Sequence, residues 1–251
     1  MCEAHDREPP MRFADEGNER MTDSGPLPRK VRSFALRRGH VTNAQRRSYE
    51  ESFPRVSIAY APGVLDLDAR FGRQCPTVLE IGFGMGETTS AIASARPDIN
   101  FLAIEVFVAG IGALARRIDE QALGNIRIIE HDATEVVRDM LAPGSLAGVH
   151  IFFPDPWPKA RHHKRRLIAQ PFVGILAERL RAGGYLHCAT DWQHYAEQML
   201  EVLSEEPRLA NMHSGFAPGP INPLLERPAT RFHARGEKLG HRVWDLVFRR
   251  V

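Results

Sequence analysis

The sequence predicts an α/β fold built on a doubly wound, mostly parallel sheet, and three observations carry that prediction. Short apolar runs rich in β-branched residues alternate with stretches of helical spacing. The first run passes directly into a glycine turn and then a helix. Four of the five predicted strands end on or beside an acid: Glu105, Asp132, Asp155 and Asp191. In an open parallel sheet, ligands bind beyond the carboxyl ends of the strands, so acids recurring there point to a site rather than to packing.

Taken in order, residues 1–28 mix acids, bases and prolines with few large apolar side chains, which predicts a disordered tail. Residues 29–52 read as a basic arm, with Arg29, Lys30, Arg32, Arg37, Arg38, Arg46 and Arg47 and a short helix from about Asn43. Such an arm suits a polyanion. The segment 53–76 is a mixed connector with a turn at Pro62 and Gly63. The core opens with TVLEIGFGMGETTSAIASARP: a strand over 78–81, a tight turn at Gly82, Gly84 and Gly86, then a helix from Glu87 to about Arg96, stopped by Pro97. The run FLAIE predicts a second strand ending on Glu105, followed by a helix bearing Arg116 and Arg117. NIRIIEHD predicts a third strand ending on Asp132, with helical character over 134–141. The fourth strand, 149–153, is stopped by Pro154 and Pro156, because proline cannot continue a ladder. Helical spacing over 171–180 leads to Gly183 and Gly184, which are expected to cap the helix and start a fifth strand, YLHCAT. Helix signals resume over 192–204.

The composition is that of a soluble globular protein, 43% hydrophobic and 25% charged. A net charge of only +2 excludes a histone-like polycation, so any affinity for nucleic acid must come from local charge. That charge follows the fourth strand: Lys159, Arg161, Lys164, Arg165 and Arg166, interleaved with His162 and His163. Cys2, Cys75 and Cys188 form no CxxC pair, which argues against a disulfide framework or a cysteine zinc site and fits a reducing, cytoplasmic location. His162 and His163 lack a third ligand at suitable spacing, so no metal is expected. No run is long and apolar enough for a transmembrane helix or a signal peptide, so no membrane is expected.

The glycine loop separates two cofactor classes. A dinucleotide fingerprint needs glycine at 82, 84 and 87, but position 87 is Glu, which argues against a nicotinamide dehydrogenase. Glu80 lies just before the loop, and acids near a helix N-terminus serve a pyrophosphate badly. They serve S-adenosylmethionine well, since it carries a sulfonium and an ammonium and no phosphate. Glu105 stands about twenty residues past the loop, where nucleotide folds place an acceptor for ribose hydroxyls. Asp132 is then the acceptor for the adenine amino group.

Together VLEIGFGMG, FLAIEV, HDATEV, FFPDPWPKARHHKRR, ATDWQHYAEQML and TRFHARGEKLGHRVWDL closely resemble the tRNA (guanine-N7)-methyltransferase family, from about Arg32 to the C-terminus. The resemblance implies a Rossmann-like class I methyltransferase fold over 53–251, with seven strands and a final antiparallel hairpin. It implies methyl transfer to guanine N7 in the tRNA variable loop, position 46, with tRNA as the partner; a monomer is expected. Carried over by motif, Glu80, Gly82, Gly84, Gly86, Glu105, Asp132 and Asp155 bind the cofactor, and Asp155 is also catalytic. Lys159, Asp191, Thr230, Arg231, Phe232 and His233 contact the substrate, while Arg161, His162, His163, Lys164, Arg165 and Arg166 contact the RNA. The family carries Glu where this chain has His233; Thr230, Phe232, Arg235 and Gly236 around it fit the pattern. Two readings compete with this one. The first is a class I methyltransferase acting on another RNA base or an amine. The second is a non-catalytic tRNA-binding protein with a relic cofactor site.

Overall fold

The structure, a computed structural model, describes residues 33–34, 41–218 and 242–251 of the chain. Helix α1 (Asn43–Glu51) begins at Thr42, whose hydroxyl accepts from the Gln45 N–H while the Gln45 side chain accepts from the Thr42 N–H. This reciprocal cap satisfies two donors that a helix start otherwise leaves open. The connector holds two short helices, α2 (Phe53–Val56) and α3 (Leu67–Phe71). Strand and helix then alternate: β1 (Thr77–Ile81), α4 (Glu87–Ala95), β2 (Asn100–Glu105), α5 (Val108–Glu120), β3 (Ile126–Glu130), α6 (Ala133–Asp139) and β4 (Leu146–Phe152). A 3₁₀ turn over Ala160–Arg165 and α7 (Phe172–Arg179) lead to β5 (Leu180–Thr190) and α8 (Gln193–Ser204). The short β6 (Leu209–Asn211) and β7 (Trp244–Arg250) complete the sheet.

The seven strands lie in the order β3-β2-β1-β4-β5-β7-β6. Strands β1 to β5 are parallel, and β7 runs antiparallel to both β5 and β6. The mostly parallel sheet is the one the strand–helix alternation predicts, and the seven strands with a final antiparallel pair are those the family resemblance implies. Alternation along each strand sends side chains to two separate cores. Leu79 and Ile81 join Val136, Leu176 and Met199 on one face, whereas Val78 joins Ile92, Ile111 and Leu114 on the other. Glu80 shares the face of Val78, toward α4.

Strand β5 departs from expectation. It begins at Leu180, straight after α7, and pairs Leu146 with Leu180 before a register shift brings Gly148 opposite Tyr185. Gly183 and Gly184 therefore lie inside the strand at its irregularity and do not cap the helix. Gly183 has φ +74°, and a Cβ on Gly184 would stand 2.9 Å from the Arg181 carbonyl oxygen, so the chain can make this offset only with glycine there.

The segment read as a basic arm supplies α1, which packs against α5. Gly112 makes that approach possible, since a Cβ there would collide with the Gln45 carbonyl. The Tyr49 hydroxyl donates to Glu130 at 2.6 Å, tying α1 to the end of β3. Among the described residues, no helix is long and apolar enough to cross a membrane.

Candidate active site

Strand order reverses between β1 and β4, and a cavity of about 680 Å³ opens at the carboxyl ends of the strands there. Glu80, Gly82 and Gly84 of the glycine loop, Glu105 and Asp155 line it, while Gly86 does not, so long-range pairing of β1, β2 and β4 brings together acids up to 75 residues apart in sequence.

The loop is shaped by its own backbone. Gly82, Gly84 and Gly86 all have φ between +56° and +75°. At Gly86 a Cβ would stand 2.7 Å from the Leu114 side chain. At the start of α5, Gly110 lets the helix approach the Gly84 carbonyl, which a side chain would block. Glu105 braces this arrangement: its carboxylate accepts from the Gly84 N–H at 2.9 Å and from the N–H groups of Val106 at 2.8 Å and Phe107 at 3.2 Å. The acid expected to meet a ribose thus also holds the glycine loop in place.

Glu80 is 2% exposed, and among the described residues its Oε2 meets no hydrogen-bond donor. Burial pushes its carboxyl up to about 7; Thr89 opposes the rise and the nearby charge of Glu105 adds to it. A desolvated acceptor on the wall of a cavity is costly unless a donor or a cation arrives. An ammonium group supplies both.

Asp132 is placed differently. It is the N-cap of α6, and its Oδ1 accepts from the Thr134 N–H at 2.9 Å and the Thr134 hydroxyl at 2.7 Å. Its neighbours His131 and Ala133 line the cavity, and Asp132 itself is not among the lining residues. His131 stacks on Tyr60 with ring centroids 3.7 Å apart and meets Glu135 at 2.7 Å, forming a flat wall.

Beyond β4 the chain turns sharply. Phe153 has φ +51°, and its N–H donates to the Ala189 carbonyl at 2.8 Å, which aligns the turn with the end of β5. Asp155 sits between the two prolines, half-buried, on the cavity rim. Trp157, with φ +46°, donates its indole N–H to the Ser33 carbonyl at 3.1 Å, and the Arg165 guanidinium lies 3.8 Å over its ring. That face of the ring is taken, so Trp157 braces the turn.

The basic run divides in two. Lys159, Arg161 and Lys164 are exposed, and His162, His163 and Arg165 are half-buried. Arg166, grouped by the sequence with the RNA-facing cations, is 4% exposed and turned inward. It donates to the Pro156 carbonyl at 2.9 Å and to Gln198 at 3.2 Å, and lies over the Tyr195 ring at 4.7 Å. Arg161 and Lys164, one 3₁₀ turn apart, share the outward face, whereas Arg166 follows the turn in extended backbone and falls against α8. Asp191 is exposed at the end of β5. Thr230, Arg231, Phe232 and His233 lie outside the described residues.

Several cavity residues were not singled out from the sequence. Ser33, Phe34, Thr42 and Gln45 come from the arm, Phe107 from the start of α5, and His131 from the end of β3. The capping pattern at Thr42 and Gln45 was legible as a helix start, but its docking on α5 was not. Among the described residues, no three His, Cys, Asp or Glu side chains gather as metal ligands.

Compared with known proteins, residues 74–246 match the family described as "Putative methyltransferase". The tRNA (guanine-N(7)-)-methyltransferase of Bordetella pertussis is 62% identical over 221 residues, covering 88% of this chain and 85% of its own. That of Burkholderia cenocepacia is 57% identical over 237 residues, covering 94% and 91%. Among solved structures, the 16S rRNA methyltransferase KamB superposes with a TM-score of 0.51 at 15% identity, covering 75% of this chain and 98% of its own, which is a likeness of fold.

Proposed function

This chain belongs to the tRNA (guanine-N7)-methyltransferase family, and we propose that it moves a methyl group from S-adenosylmethionine to N7 of the variable-loop guanine at position 46 of tRNA, forming N7-methylguanosine. The observation that carries the choice of cofactor is the orphaned, buried Glu80 oxygen on the cavity wall. It fits the ammonium of an amino-acid-bearing cofactor and would repel a pyrophosphate. S-adenosylmethionine, when bound, supplies an electrophilic methyl on a sulfonium.

Guanine N7 carries an in-plane lone pair and no proton, so its attack needs no general base. The protein's work is alignment, which can contribute on the order of 7–11 kcal/mol. Glu80 receives the ammonium, and Glu105 accepts from ribose hydroxyls while keeping the loop in shape. Asp132 or the His131 wall meets the adenine. Positive charge develops on the purine ring as the methyl moves. Asp155 and Asp191, accepting from guanine N1–H and the 2-amino group, stabilise that charge. Lys159, Arg161 and Lys164 track phosphates, which position a folded RNA without reading its sequence. The cytoplasm, where tRNA is processed, is the compartment this reading implies.

The test is transfer of label from S-adenosylmethionine to unmodified tRNA whose variable-loop guanine is either intact or replaced by adenine. Label released as N7-methylguanine from the first tRNA only is the expected result. Label in both tRNAs would retain the methyltransferase and discard the site.

A further inference from the structure

We infer that Trp192 is a stacking platform for an RNA base next to the acceptor guanine, an inference that rests on the tRNA-methylating reading above. Trp192 is 42% exposed and is the one aromatic among the exposed large apolar residues described. Local structure does not account for it. It is the N-cap of α8, a position that favours Ser, Thr, Asp or Asn, and it makes no side-chain cap bond. Its burial is too incomplete for a core residue.

Its backbone, by contrast, is fixed. The Trp192 N–H donates to the Thr190 hydroxyl at 3.2 Å, and its carbonyl accepts from the N–H groups of Tyr195 and Ala196 at 3.0 Å each. A rigid backbone presenting a part-exposed indole is a preorganised surface for a flat partner.

The surroundings identify the partner. Trp192 follows the exposed Asp191 on the edge where the Phe153 N–H meets the Ala189 carbonyl, so it stands beside the turn that carries Asp155. His194, in the first turn of α8, lies 5.0 Å ring to ring from His163 of the basic 3₁₀ segment and 3.1 Å from the Arg166 guanidinium. The basic 3₁₀ segment, an exposed acid and a part-exposed aromatic therefore meet around the first turn of α8. Trp192 is not among the residues lining the cofactor cavity, which leaves the adenine of the cofactor out of its reach. Cations beside an aromatic are the pattern by which single-stranded or splayed nucleotides are held.

The test compares Trp192→Ala and Trp192→Phe with the wild-type protein, by steady-state kinetics on unmodified tRNA and by tryptophan fluorescence during tRNA titration with S-adenosylhomocysteine present. Stacking predicts about a ten-fold or greater rise in KM for tRNA in the Ala variant. Cofactor affinity and melting temperature should be unchanged, and the Phe variant should lie within about two-fold of wild type, as stacking tolerates any aromatic ring. It also predicts tRNA-induced quenching in wild type that Trp192→Phe loses. Unchanged KM in the Ala variant, or quenching retained without Trp192, overturns the inference; so does a change in sedimentation, which would make this surface a contact between copies. Quenching does not depend on turnover. A protein whose Trp192 is quenched by tRNA but which methylates no guanine N7 would therefore overturn the functional reading and leave the platform standing.

Discussion

The two sides of the switch point are built on different physical terms. On the β1–β2 side the acids are set in place before any ligand arrives: Glu80 is sealed from water, and Glu105 receives three backbone N–H groups. On the β4–β5 side the acids and cations stand on turns: Asp155 lies between prolines, and Asp191, Lys159, Arg161 and Lys164 face solvent. The first side bears its desolvation cost during folding, so a small cofactor meets a finished pocket. The second leaves its charges hydrated until a large polyanion displaces the water and counterions. A cavity for a small molecule can be prepared in advance, whereas a surface for a folded RNA must wait for its partner.

This contrast can be broken or sharpened, starting where the effect is largest. Asp155→Asn should lower turnover on the order of a hundred-fold, because it weakens charge stabilisation at the reacting base, while tRNA affinity changes little. Single-turnover rates and filter binding separate the two, and equal turnover would remove Asp155 from the chemistry. Next comes the inward cation. Arg166→Ala should cost about 3 kcal/mol of stability, because it strands the Pro156 carbonyl and Gln198. Arg161→Ala and Lys164→Ala should each stay within about 0.5 kcal/mol in the same denaturant titration.

Glu80 gives a pH signature. Its folded-state pKa of about 7 lies above the ordinary 4.5, so the carboxylate gains charge only as pH rises through neutrality. Affinity for S-adenosylhomocysteine, which keeps the ammonium, should rise about ten-fold from pH 6 to pH 8, and Glu80→Gln should flatten that rise. In the ligand-free protein the raised pKa places the stability cost of Glu80 above pH 4.5, fully developed once pH exceeds about 7. Glu80→Gln should therefore melt higher than wild type at pH 8 and alike at pH 4. The smallest effects belong to the rim. Removing one exposed cation, as in Lys159→Ala, Arg161→Ala or Lys164→Ala, should flatten the slope of log affinity on log salt by about 0.7–0.9. An unchanged slope would mean that the side chain meets no phosphate.

Much of this was legible in the chain. Short apolar runs rich in β-branched residues, with glycine and proline turns, located the first four strands to within a few residues, and the departure at 87 from the dinucleotide spacing already pointed away from a phosphate-bearing cofactor. The failures share a cause. Gly183 and Gly184 resemble a helix cap, but pairing with β4 makes them a strand irregularity. Arg166 resembles its neighbours, but the chain leaves the 3₁₀ turn in extended backbone there and packing against α8 turns it inward. Asp132, by contrast, has a second duty that the sequence reading left out, as it caps its own helix.

What the sequence determined by itself is therefore local and periodic: the order of strands and helices, the glycine loop, the acids at strand ends and the rigid proline turn with its cations. These follow from backbone sterics and from side-chain alternation, which act over a few residues. Only the tertiary structure decided which of those acids lost their water, which cation became part of the core, and that α1 closes the cavity against α5. Burial and low local dielectric are properties of packed neighbours distant in sequence, and a residue's name carries no record of them.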